Sequence, residues 1–413
     1  MLSLKNHPAD HITANKDGAA DPGFGVYIHW PFCLSKCPYC DFNSHVRETV
    51  DQARWRAALV RELTHQASLT TDRQVSSIFF GGGTPSLMPK ETVAAVIDTV
   101  YELWPVADNI EITLEANPTS IEIDKFRDFK AAGINRVSIG VQSLRDDDLL
   151  ALGRTHSAAE AMRAIETARS VFDRYSFDLI YARSQQTPDQ WASELTEALT
   201  HAGAHMSLYQ LTIEPGTAFY TRHQRGDLPI PEDEVAAEFY AVTQDIMNAA
   251  GLPAYETSNH AAPGQQSAHN LTYWRYGSYI GCGPGAHGRL LLDNNRYATR
   301  THLAPEKWLD LVEQQGHGAH PFERLSARQQ AEEWLMMGLR LFDGINLDQC
   351  EVLTGYPARQ LLDQKMVDML CDSGHLSAKG NTLSATAQGM LCLNAVLGKI
   401  ISDPDLTPAV PAD

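Results

Sequence analysis

The feature that most constrains the fold is a rhythm of short apolar, β-branched runs separated by segments of helical period. VYIHW begins at Val26, VSSIFF at Val75, IEITLEA at Ile110, RVSIGVQ at Arg136, FDLIY at Phe177 and MSLYQLTI at Met206. Near-continuous apolar runs of this length read as strands covered on both faces, which is the signature of a parallel sheet. The segments between them are amphipathic. Val93, Val96, Ile97 and Val100 share one helical face, and Trp191, Leu195 and Leu199 share another. Ser157 followed by Glu160 has capping-box spacing, and Thr187 before Pro188 places an N-cap ahead of a first-turn proline. Repeated strand-helix units require right-handed crossovers. The outcome is either an open doubly wound sheet or a partial barrel, and the pattern alone leaves both open.

At 413 residues the chain exceeds one ordinary domain. The strand-helix rhythm occupies residues 25–250. Residues 251–325 are rich in Gly, Asn, Tyr and His and read as a loop region. Helical period returns from residue 326 to 413, in AEEWLMMGLRLF and ARQLLDQKMVDMLCDSG. That predicts a small C-terminal helical domain, with a winged-helix-like arrangement as one form of it. Residues 1–24 lack an apolar core of the kind a signal peptide needs and read as a polar tail.

The charge balance, 33 basic against 51 acidic side chains and a net −18, has the wrong sign for a partner bound through its phosphates, so nucleic acid is not expected. The seven cysteines are odd in number and mostly scattered, which fits a reducing cytoplasm better than a disulfide framework. No later stretch approaches the roughly 20 apolar residues needed to span a bilayer. A membrane contact, if made, would be peripheral.

Cys33, Cys37 and Cys40 crowd onto one loop directly after the first strand. Soft sulfur ligands at such spacing select zinc or an iron-sulfur cluster. A zinc site would need a fourth ligand, and His29 and His45 are near in sequence. The loop has no second cysteine pair to close a tetrahedron, which favours a cluster with one unligated iron.

The flanks GVYIHWPFCLSKCPYCDF and, some forty residues on, FFGGGTPS together resemble the radical-SAM superfamily. That resemblance implies a partial (β/α)6 barrel and a [4Fe-4S] cluster held by Cys33, Cys37 and Cys40, with S-adenosylmethionine (SAM) on the fourth iron. It also implies that Gly82, Gly83 and Thr84 position the methionine part of SAM, and that the Tyr39 ring lies near its adenine.

The stretches EITLEANP, GINRVSIGVQSL, LGRTH and FDLIY resemble the oxygen-independent coproporphyrinogen III oxidases and, more closely, their heme chaperone relatives, the HemW branch. By that match Tyr27, Glu115, Gln142, Arg154 and Asp178 are SAM contacts. Two features favour the chaperone branch. The oxidase pattern has a further cysteine two residues after the third ligand, where this chain has Phe42. The chaperone branch carries an H-N-x-x-Y-W motif, present here from His269 to Trp274, and His269 is then the expected heme ligand, with His260 and His287 as competitors. The implied function is binding heme and passing it to acceptor hemoproteins such as respiratory cytochromes, with an electron donor serving the cluster and a homodimer as an admissible state. The alternative is the oxidase itself, a radical-SAM decarboxylase of porphyrin biosynthesis. One departure stands out: where the group has a Gly-Leu-Pro-Gly-like turn after FDLIY, this chain reads Ala182-Arg183-Ser184-Gln185.

Overall fold

In the computed structural model, residues 22–354 and 356–401 are described, so most of the expected N-terminal tail and the last dozen residues lie outside them. Each of the apolar runs forms a strand: β1 Phe24–Trp30, β2 Val75–Gly82, β3 Val106–Ala116, β4 Arg136–Gln142, β5 Arg174–Tyr181 and β6 His205–Gln210. They pair in that order, every pair parallel. The last run stops short of the expected Ile213, since residues 211–213 leave the sheet.

Helices α1 Gln52–Leu69, α2 Lys90–Leu103, α3 Ala158–Val171 and α4 Pro188–Leu199 cover the outer face. Val93, Val96, Ile97 and Val100 are buried, as are Trp191 and Leu195. Both start signals are realised as full capping boxes, Ser157 with Glu160 and Thr187 with Gln190. Such caps satisfy amide donors that a helix start leaves orphaned.

The stretch 251–325 is not loops. It supplies β7 Asn259–Ala261, β8 Ser278–Cys282, the hairpin β9 His287–Leu292 with β10 Asn295–Arg300, and helices α5 Ala268–Trp274 and α6 Pro305–Gln315. β8 lies parallel to β1 on its free side, with Tyr27 opposite Gly281, and so adds a seventh parallel strand. β7 edges β6 antiparallel. The two ends of the parallel run, β8 and β6, do not pair with each other, which is the open seam of a partial barrel. β8 escapes sequence reading because SYIGC is short and ends in the glycine-rich turn of residues 281–288. That turn is glycine-rich for a steric reason: Gly283 has φ +105°, and a Cβ there would lie 2.2 Å from the His29 carbonyl oxygen.

The C-terminal part is a second hydrophobic core built on α7 Ala327–Gly338 and later helices. It also contains a small antiparallel sheet in which the hairpin Leu376–Lys379 and Thr382–Ala385 is extended by Ile345–Asn346.

Candidate functional site

The three cysteines follow β1 on a loop fixed at both ends. At its start, the Gly83 N–H donates to the Trp30 carbonyl (2.7 Å) and the Thr84 N–H to that of Phe32 (2.9 Å), which ties the loop to the end of β2. At its far end the Asn43 amide donates to the carbonyls of Pro284 (2.9 Å) and Leu303 (3.0 Å). In the middle, Pro38 packs on Gly153, whose φ is +68° and whose added Cβ would fall 2.5 Å from the proline ring.

A cavity of about 1000 Å³, open to solvent, lies over the C-terminal ends of β1 to β5, where parallel α/β folds place their sites. Cys33, Cys37, Cys40 and Tyr39 line it from the loop; Gly82, Gly83, Thr84, Glu115, Gln142, Arg154 and Asp178 line it from the strand ends. The sequence-predicted residues are thus brought together, with two exceptions described below.

The polar contacts are ordered. The Thr84 hydroxyl donates to the Cys33 sulfur (3.3 Å), and Arg154 donates to the Cys37 sulfur (3.4 Å), the Tyr39 hydroxyl (3.4 Å) and the Gly140 carbonyl (2.9 Å). Burial pushes the Cys33 thiol up, against the Thr84 hydroxyl. Glu115 and Asp178 form a half-buried pair of carboxyls on the cavity wall. Burial, followed by the Asp178 charge, raises Glu115 to about 8 despite the Gly82 N–H donating to it. Burial also raises Asp178 to about 6, opposed by hydroxyls of Ser207 and Ser138. Gln142 ends β4 at φ +72°, and its buried Oε1 has no hydrogen-bond partner.

These features suit the cluster and SAM. The zinc alternative fits poorly, because both His29 ring nitrogens are engaged, Nδ1 with the Tyr27 hydroxyl (3.0 Å) and Nε2 with the Asn43 carbonyl (2.9 Å). His45 bonds the Asn43 side chain (3.1 Å). The close approach of chain at Gly83, where a Cβ would lie 2.8 Å from the Pro31 carbonyl carbon, leaves backbone at the cavity wall. The orphaned Gln142 oxygen offers an acceptor for a ligand's donor.

Tyr27 and His269 lie outside the cavity lining, inside the barrel. Tyr27 bonds His29 and stacks near Phe79 (6.3 Å between centroids). His269 is 1 % exposed. Its Nδ1 bonds the Ser77 hydroxyl (2.8 Å), its Nε2 bonds the Tyr273 hydroxyl (2.5 Å), and its ring stacks on Phe79 (5.0 Å). Burial lowers its pKa to about 3, so the imidazole is neutral, but neither nitrogen is free for a metal. The expectation of His269 as an accessible heme ligand therefore meets a packed, doubly bonded side chain. Of the competitors, His260 is also buried, whereas His287 is exposed.

Sequence reasoning missed Asn117, which accepts from Arg154 (2.5 Å) and donates to Thr84 (3.2 Å), and Ser138, which donates to Asp178 (3.2 Å). A signal existed. Asn117 directly follows the β3 end that carries Glu115, and Ser138 lies on the β4 strand that ends at Gln142, so both belong to strand segments already singled out.

The radical SAM superfamily profile matches residues 27–195, and the profile described as the HemN C-terminal domain matches residues 325–392. The heme chaperone HemW of Escherichia coli is 34 % identical over 92 % of this chain and 99 % of its own. The chain belongs to the HemW family of radical-SAM proteins. The mouse mitochondrial protein named radical S-adenosyl methionine domain-containing protein 1 is 40 % identical over 90 % of this chain and 86 % of its own. Among solved structures, Escherichia coli coproporphyrinogen III oxidase (HemN) superposes with a TM-score of 0.76, covering 92 % of this chain and 90 % of that one at 20 % identity, a likeness of fold. No helix among the described residues is long and apolar enough to cross a membrane.

Proposed function

We propose that this chain is a heme chaperone: it binds heme and hands it to acceptor hemoproteins, and Cys33, Cys37 and Cys40 hold a [4Fe-4S] cluster beside a SAM site. The observation that carries the reading is the shared cavity of the three cysteines and the polar strand-end residues, in a chain whose HemW relatives match it almost end to end. When bound, the cluster and SAM supply one-electron chemistry at a sulfonium centre.

The chain's own groups prepare that site. Thr84 and Arg154 donate to cysteine sulfurs, which favours thiolate ligands. Glu115 and Asp178 offer carboxyls to a cationic ligand; a positive charge in the cavity would draw off the proton that burial keeps on Glu115 at neutral pH. Tyr39 supplies an aromatic face, and Gln142, Gly82 and Gly83 supply polar atoms for an amino acid moiety. Phe42, at the oxidase's extra-cysteine position, is 60 % exposed at the cavity rim, an apolar surface rather than a thiol.

Anaerobic reconstitution followed by metal analysis should find about four irons with matching sulfide and no zinc per chain. Hemin titration should then show saturable binding at one equivalent. Coproporphyrinogen III with SAM and a reductant should yield no sustained protoporphyrinogen. Sustained turnover would replace this reading with the oxidase, and no hemin binding would overturn it.

A further inference from the structure

Heme is an apolar plate with a Lewis-acidic iron at its centre and two carboxylates on one edge. A face that receives it needs a reachable neutral imidazole, apolar surface and cations. His269 lacks the first requirement. The antiparallel extension beyond β8 combines all three.

Strand register sets His287 opposite Arg300. The next segment continues the sheet: Thr301 bridges Ala319, and the His320 N–H donates to the Arg300 carbonyl (2.9 Å). His287, Arg300 and His320 therefore stand in a row across three neighbouring strands, since directly opposed residues share a face. His302, two residues past Arg300, lies with its ring centroid 3.8 Å from that of His320. Leu303 beside it is 61 % exposed and its carbonyl is one of the two that anchor Asn43 of the cysteine loop. His287 and Arg300 are exposed, and the row begins in the glycine-rich turn of residues 281–288, which the SAM cavity does not use. Arg300 and Lys307 make a cationic spot in a chain of net charge −18. Burial, followed by the charges of Arg289 and Arg300, lowers the pKa of His287, and burial, followed by His320 and Lys307, lowers that of His302, which leaves neutral imidazoles.

We propose that heme docks on this face, with the His287 imidazole on the iron, Arg300 against a propionate and the His302–His320 pair and Leu303 alongside the ring. The assignment rests on the heme-chaperone reading and names its site. It also gives the glycine-rich turn a function, namely carrying a ligand out of the barrel and into solvent beside the cysteine loop.

Hemin is titrated into the full chain and the Soret band followed, for wild type, His287→Ala, Arg300→Ala, the His302→Ala/His320→Ala double variant and His269→Gln. The expected result is a tenfold or greater loss of affinity and loss of the histidine-ligated spectrum in His287→Ala, restored by added imidazole. A several-fold loss is expected in Arg300→Ala and in the double variant. His269→Gln should keep the wild-type spectrum wherever circular dichroism shows it folded. A wild-type affinity and spectrum in His287→Ala, while wild type binds one heme, overturns the site and leaves the chaperone reading intact. A wild type that binds no heme overturns both.

Discussion

Two residue-scale features carry consequences for stability. The first is the turn at 182–185, where the family resemblance implies a Gly-Leu-Pro-Gly-like turn and this chain has Ala-Arg-Ser-Gln. Ala182 and Gln185 take φ of +55° and +62°, the left-handed region that disfavours side chains. The turn survives without glycine because Arg183 is buried and pairs with Glu194 (2.5 Å) and Asp148 (2.7 Å) while donating to the Ile180 carbonyl (2.6 Å). Restoring glycine at 182 or 185 should raise unfolding free energy by ~0.5–1 kcal/mol each in urea titrations, the relief of strain exceeding the added freedom of the unfolded chain. Arg183→Leu should instead lower it by about 3 kcal/mol, because Glu194 is left buried with its charge unpaired. Equal effects from the glycine and leucine variants would refute the account.

The second is the Glu115–Asp178 pair. Both carboxyls titrate higher folded than unfolded, Glu115 at about 8 against 4.5 and Asp178 at about 6 against 3.8. Between those values the native state holds protons that the unfolded chain has released, so their contribution is full below pH 4 and lost as pH rises to 8. Glu115→Gln should flatten the pH dependence of the ligand-free protein, removing on the order of a few kcal/mol of slope between pH 5 and pH 8. Identical pH profiles for variant and wild type would show that the cavity wall does not hold protons on the pair.

At the scale of elements, the barrel strands and their capped helices were legible because burial on both faces and capping chemistry are local properties of sequence. The cavity was legible for the same reason, since strand ends are countable from strand positions. β8 was not, because its membership depends on Tyr27 meeting Gly281 across some 250 residues of chain. Nor was the role of His269: the sequence reading places it in a loop region, and only the fold shows that it lies on α5 with Ser77 and Tyr273 occupying its nitrogens. Glu62 was equally hidden. Fully buried on α1, it accepts from the N–H groups of Gly283 (2.7 Å) and Gly318 (2.8 Å) and from the Trp308 indole (2.9 Å), joining α1, α6 and the turn after β8. Glu62→Ala would strand three buried donors and should cost at least 3 kcal/mol by urea unfolding. Asn43→Ala, which frees the far end of the cysteine loop from that same turn, should leave global stability within about 1 kcal/mol and lower iron retained after reconstitution by half or more. Full iron retention would mean that the loop holds its shape alone.

Across the whole molecule, the H-N-x-x-Y-W helix acts as a joint between the two cores. Its histidine is packed inside the barrel, while its Trp274 ring lies under the Arg340 guanidinium (4.8 Å) of the C-terminal part. Beside it, Glu333 on α7 accepts from Arg289 on β9 (2.8 Å) and from the Tyr276 hydroxyl (3.0 Å), and the Phe342 N–H donates to the Tyr255 carbonyl (3.1 Å). The Arg289–Glu333 pair is mostly shielded from water, so its hydrogen bonds are charge-assisted and poorly screened. Glu333→Gln keeps the shape and removes the charge. It should weaken docking of the C-terminal core by about 2 kcal/mol. Hydrogen exchange would locate the loss: faster exchange across residues 326–401 and in β9 and β10, with the cysteine loop and the barrel strands unchanged. Faster exchange throughout the barrel would mean that the two cores unfold as one unit, and the joint assigned to this helix would have no separate existence.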